Sequence, residues 1–94
     1  MTIICTLAGA SFRPAEAKAA LRTAAIGDVV SLEPDPENEY DAFAVKVIFA
    51  GHHIGFIPRS DNTVIAEALT SGDEFSASIV AFESALKPVL EIDL

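Results

Sequence analysis

Residues able to do chemistry crowd into one stretch, Glu33 to Arg59, which reads EPDPENEYDAFAVKVIFAGHHIGFIPR. Its first part is acidic, stiffened by Pro34 and Pro36, and runs into Asn38-Glu39-Tyr40-Asp41 just before an apolar alternating segment. A loop that sets Tyr40 beside Asp41 offers one stacking surface and one carboxylate that accepts a hydrogen bond from a hydroxyl. That pairing suits the end of a polymer better than a buried catalytic cleft. Aromatic and arginine neighbours recur: Phe12 lies beside Arg13, and Phe56 lies close to Arg59. Such a pair can stack a base and hold a phosphate. Equally, Phe12 and Phe56 can cover the mouth of a barrel while Arg13 pairs with an acid.

Other chemistries fit less well. Glu33, Asp35, Glu37, Glu39 and Asp41 alternate within nine residues, and calcium favours clustered oxygens. Yet the prolines stiffen the segment, no glycine makes the sharp mid-loop turn, and the spacing is not that of a calcium loop. A solvated acidic loop and no metal are expected. His52 and His53 are adjacent, so a strand points them to opposite faces. With Cys5 the one soft partner, a structural zinc site lacks ligands. There is no Gly-x-Ser-x-Gly elbow and no glycine-rich phosphate loop. The expectation is therefore binding without catalysis and without a cofactor. A protein-interaction domain using a sheet edge and the acidic loop stands as the second reading, and a metal-assisted hydrolase on that loop as the third.

The elements that must position these residues follow from periodicity. Strand patterns are expected over Ile3–Ala8, Val29–Leu32, the alternating run Phe43, Val45, Val47, Phe49, then His53–Ile57, Phe75–Phe82 and the closing Leu90, Ile92, Leu94. Phe43, Phe49 and Phe75 are expected in the core. Pro14 suits a first helical position, Ala17, Ala20, Leu21 and Ala24 form a helical stripe, and Gly27 is placed to end it. Ser60, Asp61 or Asn62 can cap a second helix carrying Val64, Ile65, Ala68 and Leu69, ended by Gly72. Gly51-His52 is a plausible hairpin tip. The order is β-α-β-β-β-α-β-β. Six short strands and two short helices fit a mainly β, small, partly open barrel of OB-like type, which hides edges and covers apolar faces. A flat sheet with both helices on one side is the alternative.

The chain has 94 residues, of which 51% are hydrophobic, enough for one folded domain over 1–94. One cysteine excludes an internal disulfide, and Cys5 in an apolar run reads as a buried thiol in a reducing compartment. Ala8-Gly9-Ala10 resembles a leader cleavage site, but no basic residue precedes it and the barrel needs that run as a strand. No run approaches the roughly 18 apolar residues of a membrane span. A cytoplasmic setting is expected, and Met1 with the strand-like end at Leu94 points to a complete unit. Fourteen acids against six bases give a net charge of -8. That argues against broad electrostatic capture of a phosphate backbone, though not against a small site reading one end.

Taken together, Gly9-Ala10-Ser11-Phe12-Arg13, Glu33-Pro34, Asn38-Glu39-Tyr40-Asp41, Ala44-Val45-Lys46-Val47 and Gly55-Phe56-Ile57-Pro58-Arg59 resemble the HIRAN domain. This module stands at the N-terminus of some DNA-remodelling and fork-repair ATPases and also occurs alone in bacteria. The resemblance implies an OB-like barrel and a role in recognising the 3′-hydroxyl end of single-stranded DNA, in the setting of DNA repair. It implies that Asp41 accepts a hydrogen bond from the terminal hydroxyl and that Tyr40 packs on the last nucleotides. Phe12, with Arg13 beside it, would pack on the terminal sugar and base. Asn38 and Arg59 would contact the backbone near the end, with Phe56 lining or closing the pocket. The chain departs at Ser11 and Phe56, where one DNA-binding eukaryotic member carries an arginine and a histidine, and at Glu39 (usually proline in the family) and Phe43 (often asparagine). Alignment on Lys87-Pro88 puts Ala85 where that member carries a stacking aromatic, and each lost base stack costs about 1–3 kcal/mol.

Overall fold

The computed structural model describes residues 1–73 and 75–94. Among them run six strands: β1 (Thr2–Thr6), β2 (Val29–Pro34), β3 (Val45–Phe49), β4 (His52–Phe56), β5 (Ser76–Ser84) and β6 (Lys87–Asp93). Helix α1 (Ala15–Arg22) follows β1 after a single 3-10 turn at Ala10–Phe12, and α2 (Arg59–Thr70) follows β4. Element order and mainly β class are those expected. Among the described residues no helix is long and apolar enough to cross a membrane.

The sheet is antiparallel throughout, ordered β1-β6-β5-β2-β3-β4. β1 and β4 are its outer strands, yet Ala8 and Phe56 exchange both backbone hydrogen bonds, each 2.9 Å. A flat sheet cannot bring its first and last strands together, so the flat arrangement is excluded and the sheet curls into a partly open barrel. This clasp depends on Gly55. A Cβ there would lie 2.6 Å from the Ala8 carbonyl oxygen and 2.9 Å from the Leu7 side chain.

Alternation fills the interior: Val45, Val47, Ile79, Leu90 and Ile92 are all fully buried. α2 adds Ile65 and Ala66, and α1 adds Leu21. Cys5 belongs to the same core, and burial, with a contribution from Asp61, pushes its thiol up to about 11. A thiol so protonated is an apolar filler rather than a nucleophile.

Local departures from expectation have local causes. Phe43 is 46% exposed, not core, because the strand begins only at Val45. Asp41 takes the N–H groups of both Phe43 and Ala44, which turns the backbone there and breaks the alternation. Phe49 and Phe75 do pack, partly buried, against the core. α1 stops at Arg22, before Gly27, whose N–H instead donates to the Ile79 carbonyl at 2.8 Å. Gly72 does end α2: it adopts φ 82°, its N–H reaches Leu69 and that of Asp73 reaches Ala68, the paired bonds of a Schellman cap. At the other end α2 starts right after Pro58 with no side-chain cap, so none of Ser60, Asp61 and Asn62 serves as one. The β3–β4 turn is Ala50-Gly51, one residue earlier than expected, with His52 already paired to Phe49.

Candidate functional site

The loop between β2 and β3 is shaped by its own short side chains. Asn38 Oδ1 accepts the N–H of Tyr40 at 2.9 Å and of Asp41 at 3.1 Å, the self-bonded turn that Asn favours. Its Nδ2 donates to Asp35 Oδ2 at 3.1 Å. The turn throws the Tyr40 ring outward, 78% exposed, and leaves the Asp41 side chain only 20% exposed.

The start of α2 then locks that carboxylate. Asp41 Oδ1 accepts the Phe43 N–H at 2.9 Å, and Oδ2 accepts the Asn62 amide at 2.7 Å. Arg59 Nε lies 3.6 Å from the same Oδ2, while Arg59 Nη2 donates to the Tyr40 carbonyl at 2.9 Å. The Phe43 N–H first, then the Asn62 amide, and finally the Arg59 guanidinium hold the carboxyl below its ordinary range. It is ionised and acceptor-only at neutral pH.

Asn38, Tyr40, Asp41, Arg59 and Asn62 make the polar wall of a groove of about 250 Å³. Its floor is apolar: Ala8, Gly9, Ala44, Phe56 and Ile57. The clasp that closes the barrel, Ala8 with Phe56, is therefore also part of the groove floor. Phe56 is further held by His53, edge-on at 4.7 Å and 86°.

Of the residues singled out from sequence, Asn38, Tyr40, Asp41, Phe56 and Arg59 meet at this groove, and Phe12 and Arg13 lie outside its lining. Phe12 ends the 3-10 turn with its ring 90% exposed. Arg13 turns towards β4, where its Nε donates to the His53 carbonyl at 2.9 Å. Ala8, Gly9, Ala44, Ile57 and Asn62 complete the groove without having been singled out for it. Asn62 carried a signal that pointed elsewhere, since an Asn near a helix start reads as a cap.

A second groove, about 430 Å³, shares Gly9 as a wall and runs past Ser11, Arg22, Ala85 and Lys87. Among the described residues neither Arg22 nor Lys87 forms an ion pair. Nor do three His, Cys, Asp or Glu side chains converge as a metal-ligand set among those residues. The acidic residues of the loop are spread along it rather than gathered.

This geometry can be set beside known proteins. The chain resembles in structure a protein from Lactobacillus plantarum, with a TM-score of 0.84 and 22% identity, over 98% of this chain and 93% of that one. It likewise resembles the HIRAN domain of human HLTF, with a TM-score of 0.80 and 17% identity, over 97% of this chain and 72% of that one. At such identities the likeness establishes the half-barrel fold. No curated protein matches the sequence. The HIRAN domain family model matches residues 1–91, which include every strand but the last residues of β6 and the whole groove. A clasped six-stranded half-barrel, a Tyr-Asp loop folded onto the start of α2, and that nearly full-length match place this chain in the HIRAN domain family.

Proposed function

We propose that this domain binds DNA without catalysing a reaction, and that its groove takes the 3′-hydroxyl end of a single strand. One observation carries the reading: the Asp41 carboxylate is ionised, anchored by the Phe43 N–H and the Asn62 amide, and placed on the wall of a groove the size of one nucleoside. Such a group accepts a hydrogen bond from a hydroxyl and repels a phosphate. The apolar floor and the exposed Tyr40 ring suit the face of a base. A duplex hides that face and a single strand presents it. Arg59, already bonded to the Tyr40 carbonyl, keeps an exposed guanidinium for the nearest phosphate.

The test is fluorescence anisotropy at low salt with a labelled short strand ending in a 3′-hydroxyl, compared with the same strand ending in a 3′-phosphate. Binding of the free end should be at least about tenfold tighter, the equivalent of one charge-assisted hydrogen bond. Tyr40→Ala should weaken the free end by about 1–3 kcal/mol, the worth of one base stack. Equal affinity for the two ends would remove Asp41 from the reading.

One feature favours a second reading, a protein partner added at a strand edge. Among the described residues β2 pairs with β5 only at Val29 and Val30 and with β3 from Ser31 onward, so among them its β5 side shows no pairing beyond Val30. Binding of a partner that survives replacement of both Tyr40 and Asp41 would select it.

A further inference from the structure

We infer that Asn62 is the positioning residue that makes the groove select a hydrogen-bond donor, by holding the Asp41 carboxylate in one orientation with one acceptor site left on each oxygen. The inference rests on the reading of the groove as an end-binding site and adds to it a residue outside the Tyr-Asp loop.

Among the described residues Asn62 is the one buried polar side chain, 3% exposed, on the inner side of α2. A buried amide is costly unless bonded, and its position excludes the usual reasons for an Asn there. It is not the helix cap, since α2 begins at Arg59. Its Oδ1 receives only the Thr63 hydroxyl, at a long 3.4 Å. The short bond is the one to Asp41 Oδ2, at 2.7 Å.

The consequence follows from counting lone pairs. Each carboxylate oxygen accepts about two hydrogen bonds. Oδ1 already takes the Phe43 N–H and Oδ2 the Asn62 amide. Arg59 stands 3.6 Å from Oδ2, an ion-pair contact rather than a hydrogen bond, and is 73% exposed. Without Asn62, Oδ2 would keep only that loose contact, and the carboxylate could turn about its χ2 towards Arg59. With Asn62 the carboxylate plane is fixed at two points, one on the loop and one on the helix. What remains facing the groove is acceptor capacity alone. A terminal hydroxyl fits it, while an end lacking that hydroxyl leaves it unmet.

The decisive experiment has two arms, so that the inference and the DNA reading fail separately. The first needs no ligand. In the unaltered chain, the Asn62 side-chain amide protons should shift with the same midpoint as the Asp41 carboxyl carbon in an NMR pH titration. In Asn62→Ala that carboxyl midpoint should rise. In Asn62→Asp, which keeps the shape but sets two carboxyls against each other, it should rise further. Arg59 is the cation acting on Asp41, and Arg59→Gln serves as the charge control. An Asn62 amide that ignores the Asp41 titration in the unaltered chain overturns the inference, whether or not the variants fold.

The second arm measures the ratio of affinities for strands ending in a 3′-hydroxyl and in a 3′-deoxy sugar. That ratio should fall about tenfold in Asn62→Ala with the fold retained. An unchanged ratio in that variant also overturns the inference. If the unaltered chain binds neither strand, the end-binding reading fails, and the titration still decides what Asn62 does.

Discussion

The His53 imidazole meets the Phe56 ring edge-on, its buried Nε2 has no partner among the described residues, and its own backbone carbonyl holds Arg13. Burial holds this imidazole below its ordinary value, the Arg13 and Lys46 cations push the same way, and the Gly55 backbone and Asp35 oppose them. A proton added here sits in poor solvent and beside the guanidinium that ties the start of α1 to β4. The folded chain therefore resists a proton that the unfolded chain accepts. Stability is complete above the ordinary imidazole value of 6.5 and is lost as pH falls through the lower folded value. Melting temperature should drop as pH falls from about pH 7 to about pH 5, and His53→Gln should flatten that slope. A slope unchanged in the variant would assign the acid sensitivity to carboxylates instead.

At the scale of elements, the join between β4 and the end of β1 bears most on the groove. Gly55 faces the Ala8 carbonyl and Leu7 across a gap that admits no Cβ. Gly55→Ala should destabilise the fold by about 1–3 kcal/mol through overpacking, read by thermal or denaturant melting, and should weaken end binding as well. Full stability in that variant would mean that β1 can move aside freely. This join was not legible in the sequence. Gly55 reads there as one residue of a strand, and nothing in a period of two says that strands first and fourth in the chain will touch. The strands themselves were legible, because Val45 with Val47 and Leu90 with Ile92 alternate cleanly towards a buried side. Alternation misled at Phe43, where the Asp41 side chain competes for the backbone and bends the chain before the strand begins. The Tyr-Asp loop and Arg59 stood out because their types are unusual together. Asn62 did not, since its role depends on α2 folding back over a loop some twenty residues earlier.

For the whole molecule, charge sets what kind of DNA binding is possible. A net charge of -8, with six bases in all, works against broad electrostatic capture of a phosphate backbone. Besides Arg59, the groove beside Gly9 carries Arg22 and Lys87, which form no ion pair among the described residues. If a strand leaves the end-binding groove past Gly9, those two cations are the ones its phosphates meet. The salt dependence should then be shallow, with the logarithm of affinity falling by roughly 2.1 per decade of salt for three phosphates, the one at Arg59 included. The double variant Arg22→Glu, Lys87→Glu should flatten that line while leaving the preference for a 3′-hydroxyl intact. A slope unchanged in the double variant would route the strand elsewhere.

The barrel's closure through one residue pair also affects departure. Ala8 and Phe56 form both the seam and part of the floor. A guest resting on them spans the seam like a bolt across a door. If it binds the closed seam better than the open one, the seam parts less often while the guest is in place. The tighter the domain holds an end, the more rarely its barrel should then spring open.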